Sequence, residues 1–172
     1  MNASQIHLAL THVPVMLSII GLFILIVGLL KKNETITKTS FYILLAAGIF
    51  TLPVYFTGEG SEEIVENLPG ILESVISQHE DIAKITLVSI TITALFALAG
   101  LFVYASKGAG KLVRMGVLVL SFMSAGAMAR TAQLGGAIRH TETRAGGTAF
   151  IQQNGETQQQ EGKQTKESED DD

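Results

Sequence analysis

Four long apolar runs divide the chain, and short polar or charged segments separate them. The runs cover about residues 9–30, 37–56, 82–105 and 112–134. A helix needs about 20 mostly apolar residues to cross the hydrocarbon of a bilayer. Each run reaches that length and is uncharged across its middle, while Arg130 lies near the far end of the fourth run. The pattern predicts an all-α, integral membrane, up-down four-helix bundle.

The segment between the second and third runs, residues 57–81, contains helix signals of its own. The Ser-Glu-Glu sequence at 61–63 is typical of a helix start, because acidic groups are stabilised at the positive end of the helix dipole. Pro69-Gly70 interrupts that segment. Residues 71–84 have helical periodicity and are expected to lead directly into the third span. We therefore predict a short periplasmic helical segment between spans two and three.

The chain is expected to fold as one transmembrane domain, residues 1–145. Residues 146–172 are rich in Gln, Glu, Gly and Asp and poor in apolar side chains. Such a composition cannot bury enough apolar surface to order itself, so we predict a disordered C-terminal tail. No internal repeat is predicted.

The charges of the connecting segments predict an orientation. Residues 1–10 contain no Lys or Arg and basic residues follow the first run, which favours an uncleaved anchor over a signal peptide. The second loop has no Lys or Arg, whereas the other two loops are basic, with Lys31, Lys32, Lys38, Lys107, Lys111 and Arg114. The positive-inside rule then places both termini on the periplasmic side of a bacterial inner membrane.

Composition narrows the function. Hydrophobic residues make up 47% of the chain, charged residues 16%, and the net charge is −4, which argues against binding to nucleic acid. The absence of cysteine excludes iron–sulfur ligation by thiolates and covalent attachment of a c-type haem. The chain contains no nucleophile elbow, phosphate loop or zinc-protease motif, so an independent enzyme is disfavoured.

All four histidines of the chain are predicted at the same side of the membrane. His7 and His12 lie at the entry of span one, His79 at the entry of span three, and His140 beyond the exit of span four. Helical spacing places three of them on stripes of small and polar residues that we expect to face the bundle interior. These stripes are His7-Thr11-Pro14-Ser18-Gly21-Leu25-Gly28, His79-Ile82-Thr86-Ser89-Thr93-Phe96-Gly100 and Arg130-Gln133-Ala137-His140.

Such a cluster could bind a cofactor, because neutral imidazole is a ligand for haem iron, zinc and copper. Two histidines from different helices of a bundle can take both axial positions of a b-type haem. We expect His12 and His79 to be the ligands, with His7 and His140 as the other candidates. Arg130 and Arg139 would pair with the haem propionates.

Several motifs together resemble a family of uncharacterised bacterial four-span membrane proteins. They are His7-Leu-Ala-Leu-Thr-His12-Val-Pro14, which fits H-x4-H-x-P, Thr57-Gly58-Glu59-Gly60, His79-Glu80, and Arg130-Thr131 followed by Gly135-Gly136 and Arg139-His140-Thr141-Glu142. The resemblance covers about residues 5–144. Members of that family resemble haem-type membrane proteins, and some relatives occur joined to cytochrome c domains. The resemblance implies electron transfer, with cytochrome or quinone partners.

Other interpretations of the same pattern stay open. The four histidines could form a non-haem zinc or copper site for sensing or handling the metal. The protein could instead be a non-catalytic structural subunit of a membrane complex, or a homo-oligomer, in which the histidines only pack at the membrane interface.

Overall fold

Four long helices form the structure, a computed structural model that describes residues 2–66 and 71–140. They are α1 (Ala3–Leu30), α2 (Glu34–Val65), α3 (Glu73–Val103) and α4 (Ala109–Arg139). All four are long and apolar enough to span a membrane. The predicted all-α bundle of four spans is therefore confirmed. The predicted tail and Pro69-Gly70 lie outside the described residues.

Local sequence explains where the first hairpin begins and turns. The Asn2 side chain accepts a hydrogen bond from Gln5 N, and the Gln5 side chain accepts one from Asn2 N, which together form a capping box at the start of α1. The turn to α2 contains Lys32 at φ 49°, and the Asn33 side chain then caps α2 by accepting from Ile36 N.

The helices extend further at one end of the bundle than the apolar runs do. α2 continues through Gly58 and Gly60 to Val65, so the predicted helix start at 61–63 is wrong. Ser61 lies inside α2, and its hydroxyl donates to Thr57 O one turn earlier. The expected short segment is thus a continuation of α2 in the described residues, while α3 begins at Glu73, as its periodicity predicted.

Each helix packs against its two neighbours in an antiparallel arrangement, so α1 lies diagonally across the bundle from α3. Small residues allow the close approaches. A Cβ built on Gly28 would lie 2.8 Å from the backbone nitrogen of Thr37, and one on Gly48 would lie 2.6 Å from the Cβ of Ala94. Lipid tails are as apolar as the side chains, so moving an apolar side chain from lipid into a helix interface contributes little. Close backbone packing of this kind therefore stabilises the association of the helices.

The predicted interior stripes agree with the structure for α1, partly for α3, and not for α4. The buried residues of α1 are Pro14, Ser18, Gly21, Leu25 and Gly28. In α3 the prediction fails at Phe96, which is exposed, while Ala97 is buried. In α4, Arg130 and Gln133 are exposed and hydrogen-bonded to each other, because a polar pair at a helix end can remain at the membrane surface.

The pattern of buried positions along the helices is similar in the two halves of the chain. Each of the five buried residues of α1 has a buried counterpart in α3, 72 positions later, at Thr86, Ile90, Thr93, Ala97 and Gly100. A shift of 77 positions relates α2 to α4, where buried Ser40, Leu44, Ala47 and Thr51 correspond to buried Val117, Ser121, Ser124 and Met128. The burial pattern of the α1–α2 hairpin therefore recurs in the α3–α4 hairpin, which runs in the same direction.

Candidate functional site

His7 and His79 lie at the same end of the bundle, which we call the histidine end. Both side chains are half-buried, His7 on α1 and His79 on the diagonally opposite α3. The two imidazoles are within electrostatic range of each other. The fold thus brings together two of the four histidines, each from a different hairpin.

The ring of His7 is held by α2. Its Nδ1 lies 2.9 Å from the carbonyl oxygen of Val54. One turn later, a Cβ built on Gly58 would lie 3.1 Å from Cε1 of the ring, tighter than ordinary carbon contacts. Glycine at position 58 therefore allows the imidazole to lie close to the backbone of α2.

The ring of His79 is held in the same way by α4. Its Nδ1 lies 3.0 Å from the carbonyl oxygen of Thr131, and a Cβ on Gly135 would lie 3.1 Å from its Cε1. The hydroxyl of Thr131 donates to Ala127 O and lies 2.8 Å from the hydroxyl of Thr86 on α3. These two bonds fix Thr131 and, through its carbonyl, the orientation of His79.

The hydrogen bonds determine which ring nitrogen is available for ligand binding. A backbone carbonyl can only accept, so Nδ1 of each ring must carry the proton and donate it. In the neutral ring, Nε2 then has a free lone pair. This arrangement, with one nitrogen donating to a carbonyl, is the usual one for histidines that bind a metal. The pair presents two oriented nitrogen ligands.

The other predicted site residues lie apart from this pair or at the surface. His12 is exposed on α1, and His140 is exposed at the end of α4, where its backbone N–H donates to Gly136 O. Arg130 is exposed and donates to the Gln133 side chain at 2.8 Å. Arg139 ends α4, and its side chain is not among the described ones. The structure thus gives His7 and His79 matching surroundings at one end of the bundle, while His12, one of the two expected ligands, is exposed.

A polyhistidine metal centre is not assembled in the part of the chain that the structure describes. Over residues 2–66 and 71–140, no group of three or more His, Cys, Asp or Glu side chains could hold a metal ion. Structural zinc needs four such ligands, and catalytic zinc needs three. Two imidazoles alone fit a group that supplies its remaining ligands itself.

Sequence reasoning missed the residues that orient the two rings, Gly58 and Gly135 with the carbonyls of Val54 and Thr131. A carbonyl gives no sequence signal, and the two glycines appeared only as parts of motifs near the ends of spans two and four. It also missed Ser4, one turn before His7, whose buried hydroxyl has no hydrogen-bond partner among the described residues. One signal in the sequence could have found them: α1 and α3 each carry a histidine near their start, and the helix that follows each of them has a glycine at the level of that histidine in the bundle.

Comparison with known proteins gives the family and little more. No curated protein and no solved structure matches the chain. The model of the family described as "Predicted membrane protein (DUF2231)" matches residues 3–143, which include all four helices. The chain therefore belongs to this family of membrane proteins.

Proposed function

We propose that the protein binds a b-type haem between His7 and His79 and transfers electrons at the outer face of the membrane. The observation that carries the proposal is the matched pair of half-buried imidazoles, each with Nδ1 bonded to a carbonyl and Nε2 free. They come from diagonally opposite helices, an arrangement from which bundles build cofactor sites.

The number of protein ligands favours haem over a bare metal ion. A porphyrin contributes four nitrogen ligands, so its iron requires only two from the protein. The described residues offer two oriented imidazoles and no group of three or more metal-binding side chains. A zinc ion at this place would need further ligands from water or from another molecule.

The surroundings supply polar groups for the haem edge. The buried Ser4 hydroxyl, one turn from His7, has no hydrogen-bond partner within residues 2–66 and 71–140, so its proton could be donated to the haem edge. Arg130 lies one residue before Thr131, at the height of His79, and its guanidinium at the surface can pair with a propionate. The haem would supply reversible one-electron chemistry, while His7 and His79 hold its iron and the helices exclude water.

The orientation of the site rests on the distribution of charge. The histidine end carries the acidic segment, and the opposite end carries the basic loops with Lys31, Lys32, Lys107 and Lys111. The positive-inside rule supports a periplasmic histidine end in a bacterial inner membrane. A periplasmic cytochrome or a membrane quinone would then be the electron-transfer partner. The cytochrome c domains implied by the resemblance agree with this.

Spectroscopy of the purified protein tests the proposal. The protein is produced in cells supplied with iron and a haem precursor, purified in mild detergent, and its absorbance recorded in the oxidised and reduced states. We expect a Soret band and the spectrum of a six-coordinate haem. His7→Ala and His79→Ala should each remove that spectrum, whereas His12→Ala, on the exposed face of the same helix as His7, should retain it.

Two results would overturn the proposal. The first is purified wild-type protein with no Soret band and no haem by extraction. The second is an unchanged six-coordinate spectrum in either His7→Ala or His79→Ala. Elemental analysis of the same samples identifies a bound copper or zinc ion, which would replace haem by the non-haem alternative.

A further inference from the structure

We propose that the site consists of two equivalent half-sites, one from each hairpin, in which Gly58 and Gly135 position the rings of His7 and His79. Such a site takes a ligand with two equivalent faces, centred between the hairpins. The identity of that ligand as haem rests on the proposed function. The positioning role of the two glycines does not, because it follows from contacts within the chain.

The same shifts that relate the buried residues also relate the residues of the site. His79 lies 72 positions after His7, the shift that relates α1 to α3. Thr131 lies 77 positions after Val54, and Gly135 lies 77 after Gly58, the shift that relates α2 to α4. Ring, carbonyl and glycine therefore occupy corresponding places in both hairpins, with nearly equal Nδ1–carbonyl distances of 2.9 and 3.0 Å.

Few residues are identical between the two hairpins, and those few include the ring and the glycine of the site. When residues 40–59 are paired with residues 117–136, the one identical pair is Gly58 and Gly135. When residues 3–30 are paired with 75–102, four pairs are identical, and His7 with His79 is the one with a titratable side chain. Packing alone does not require this, since buried pairs such as Ser18 and Ile90 differ in both size and polarity.

The space behind each ring explains why both positions are glycine. A Cβ at either position would lie 3.1 Å from Cε1 and within 3.4 Å of Nδ1 of the ring. A larger residue at either position would push the ring away from the glycine's helix by a few tenths of an ångström and change the direction of Nε2. The two glycines thus set equal orientations of the two free nitrogens, which a two-faced ligand requires.

The neighbouring glycine provides a matched control. A Cβ built on Gly136 would have no atom within 4 Å. Gly136 lies next to Gly135 near the end of α4, so both substitutions have the same effect on helix propensity. We compare Gly58→Ala, Gly135→Ala and Gly136→Ala in full-length protein purified in mild detergent. The chain has only four histidines, so ¹⁵N-histidine labelling gives a spectrum that histidine-to-alanine variants can assign.

We expect His7 and His79 of the wild type to show the Nδ1-protonated tautomer with similar ring shifts. Gly135→Ala should shift the ¹⁵N resonances of the His79 ring and leave those of the His7 ring unchanged. Gly58→Ala should shift the resonances of His7 and leave those of His79 unchanged. Gly136→Ala should change neither. In haem-loaded protein, Gly58→Ala and Gly135→Ala should each shift the electron paramagnetic resonance signal of the ferric haem by a similar amount.

The outcomes separate this inference from the proposed function. Wild-type protein without haem overturns the proposed function, and the nitrogen shifts still decide the role of the glycines. Shifts in Gly135→Ala no larger than in Gly136→Ala, or an effect of only one of the two glycines, would overturn the half-site inference. If Gly135→Ala does not fold, the double variant His79→Ala/Gly135→Ala should fold, because removal of the ring makes room for the new methyl group; failure of that rescue also counts against the inference.

Discussion

The close approach of Gly48 on α2 to Ala94 on α3 predicts that Gly48→Ala will loosen the bundle. The new Cβ would lie 2.6 Å from the Cβ of Ala94, where carbon atoms normally stay about 3.5–4.0 Å apart. Neither atom can rotate away, because a Cβ is fixed by its backbone. To regain a normal contact, α2 and α3 must separate by about 1 Å at this point.

The expected loss of stability follows from two opposing effects. Overpacking of this kind costs about 1–3 kcal/mol, whereas replacing glycine by alanine inside a helix contributes about 0.5–1 kcal/mol in the favourable direction. We therefore expect Gly48→Ala to reduce the free energy of unfolding by about 1 kcal/mol, and by no more than about 2.5 kcal/mol. Gly126→Ala, whose new Cβ has nothing within 4 Å, should be neutral or slightly stabilising.

A double variant tests the assigned cause. Gly48→Ala/Ala94→Gly moves one methyl group from α3 to α2 and leaves the helix propensities balanced, so its stability should return to within about 0.5 kcal/mol of wild type. Unfolding is followed by far-ultraviolet circular dichroism in mixed micelles of mild detergent and dodecyl sulfate. If Gly48→Ala proves as stable as Gly126→Ala, or if the double variant is no more stable than Gly48→Ala, the packing argument is refuted.

Two further predictions concern the interior and the orientation. Ser124→Ala removes bonds of 2.8 Å to two hydroxyls of α3 and should lower the free energy of unfolding by about 1 kcal/mol. Ser121→Ala, one turn away and equally buried, removes a hydroxyl without a partner among the described residues and should be neutral or stabilising in the same unfolding assay. For the orientation, the natural chain has no cysteine, so Glu59→Cys and Lys107→Cys each introduce a single reporter at an exposed position. A membrane-impermeant maleimide should label position 59 in intact cells and position 107 only after lysis; the reverse pattern would place the basic loops outside.

The four spans could be predicted because hydrocarbon thickness sets a minimum length for an apolar helix, and four runs meet it. The helix ends at the histidine end could not. α2 extends to Val65 although its apolar run stops near Phe56, and α3 begins at Glu73 although its run starts near Ile82. Outside the hydrocarbon, contacts between neighbouring helices keep the chain helical, so the end of an apolar run no longer marks the end of the helix. Gly60, for example, lies against the Cβ of Ala3.

The choice between His7 and His12 depended on one angle. Five residues separate them, which rotates them about 140° apart on a straight helix. A proline such as Pro14 can kink a helix and change that angle, so the sequence alone does not decide which of the two histidines faces the interior. In the structure α1 continues through Pro14 without a break, and the angle holds. His7 faces the interior, and His12 is exposed.

The repeat escaped sequence analysis because lipid packing constrains where a residue lies more than what it is. Gly21 lies against Leu44 in the first hairpin, while the corresponding positions in the second are Thr93 and Ser121. Glycine and leucine in one hairpin thus correspond to threonine and serine in the other, and all four positions are buried without any identity between the pairs. Positions that carry a specific chemical requirement cannot exchange in this way, because a ring needs both its own atoms and an empty place behind it. The histidine and glycine that both hairpins share fit the positioning role proposed for Gly58 and Gly135, because a ring packed against a glycine leaves no room for a larger side chain.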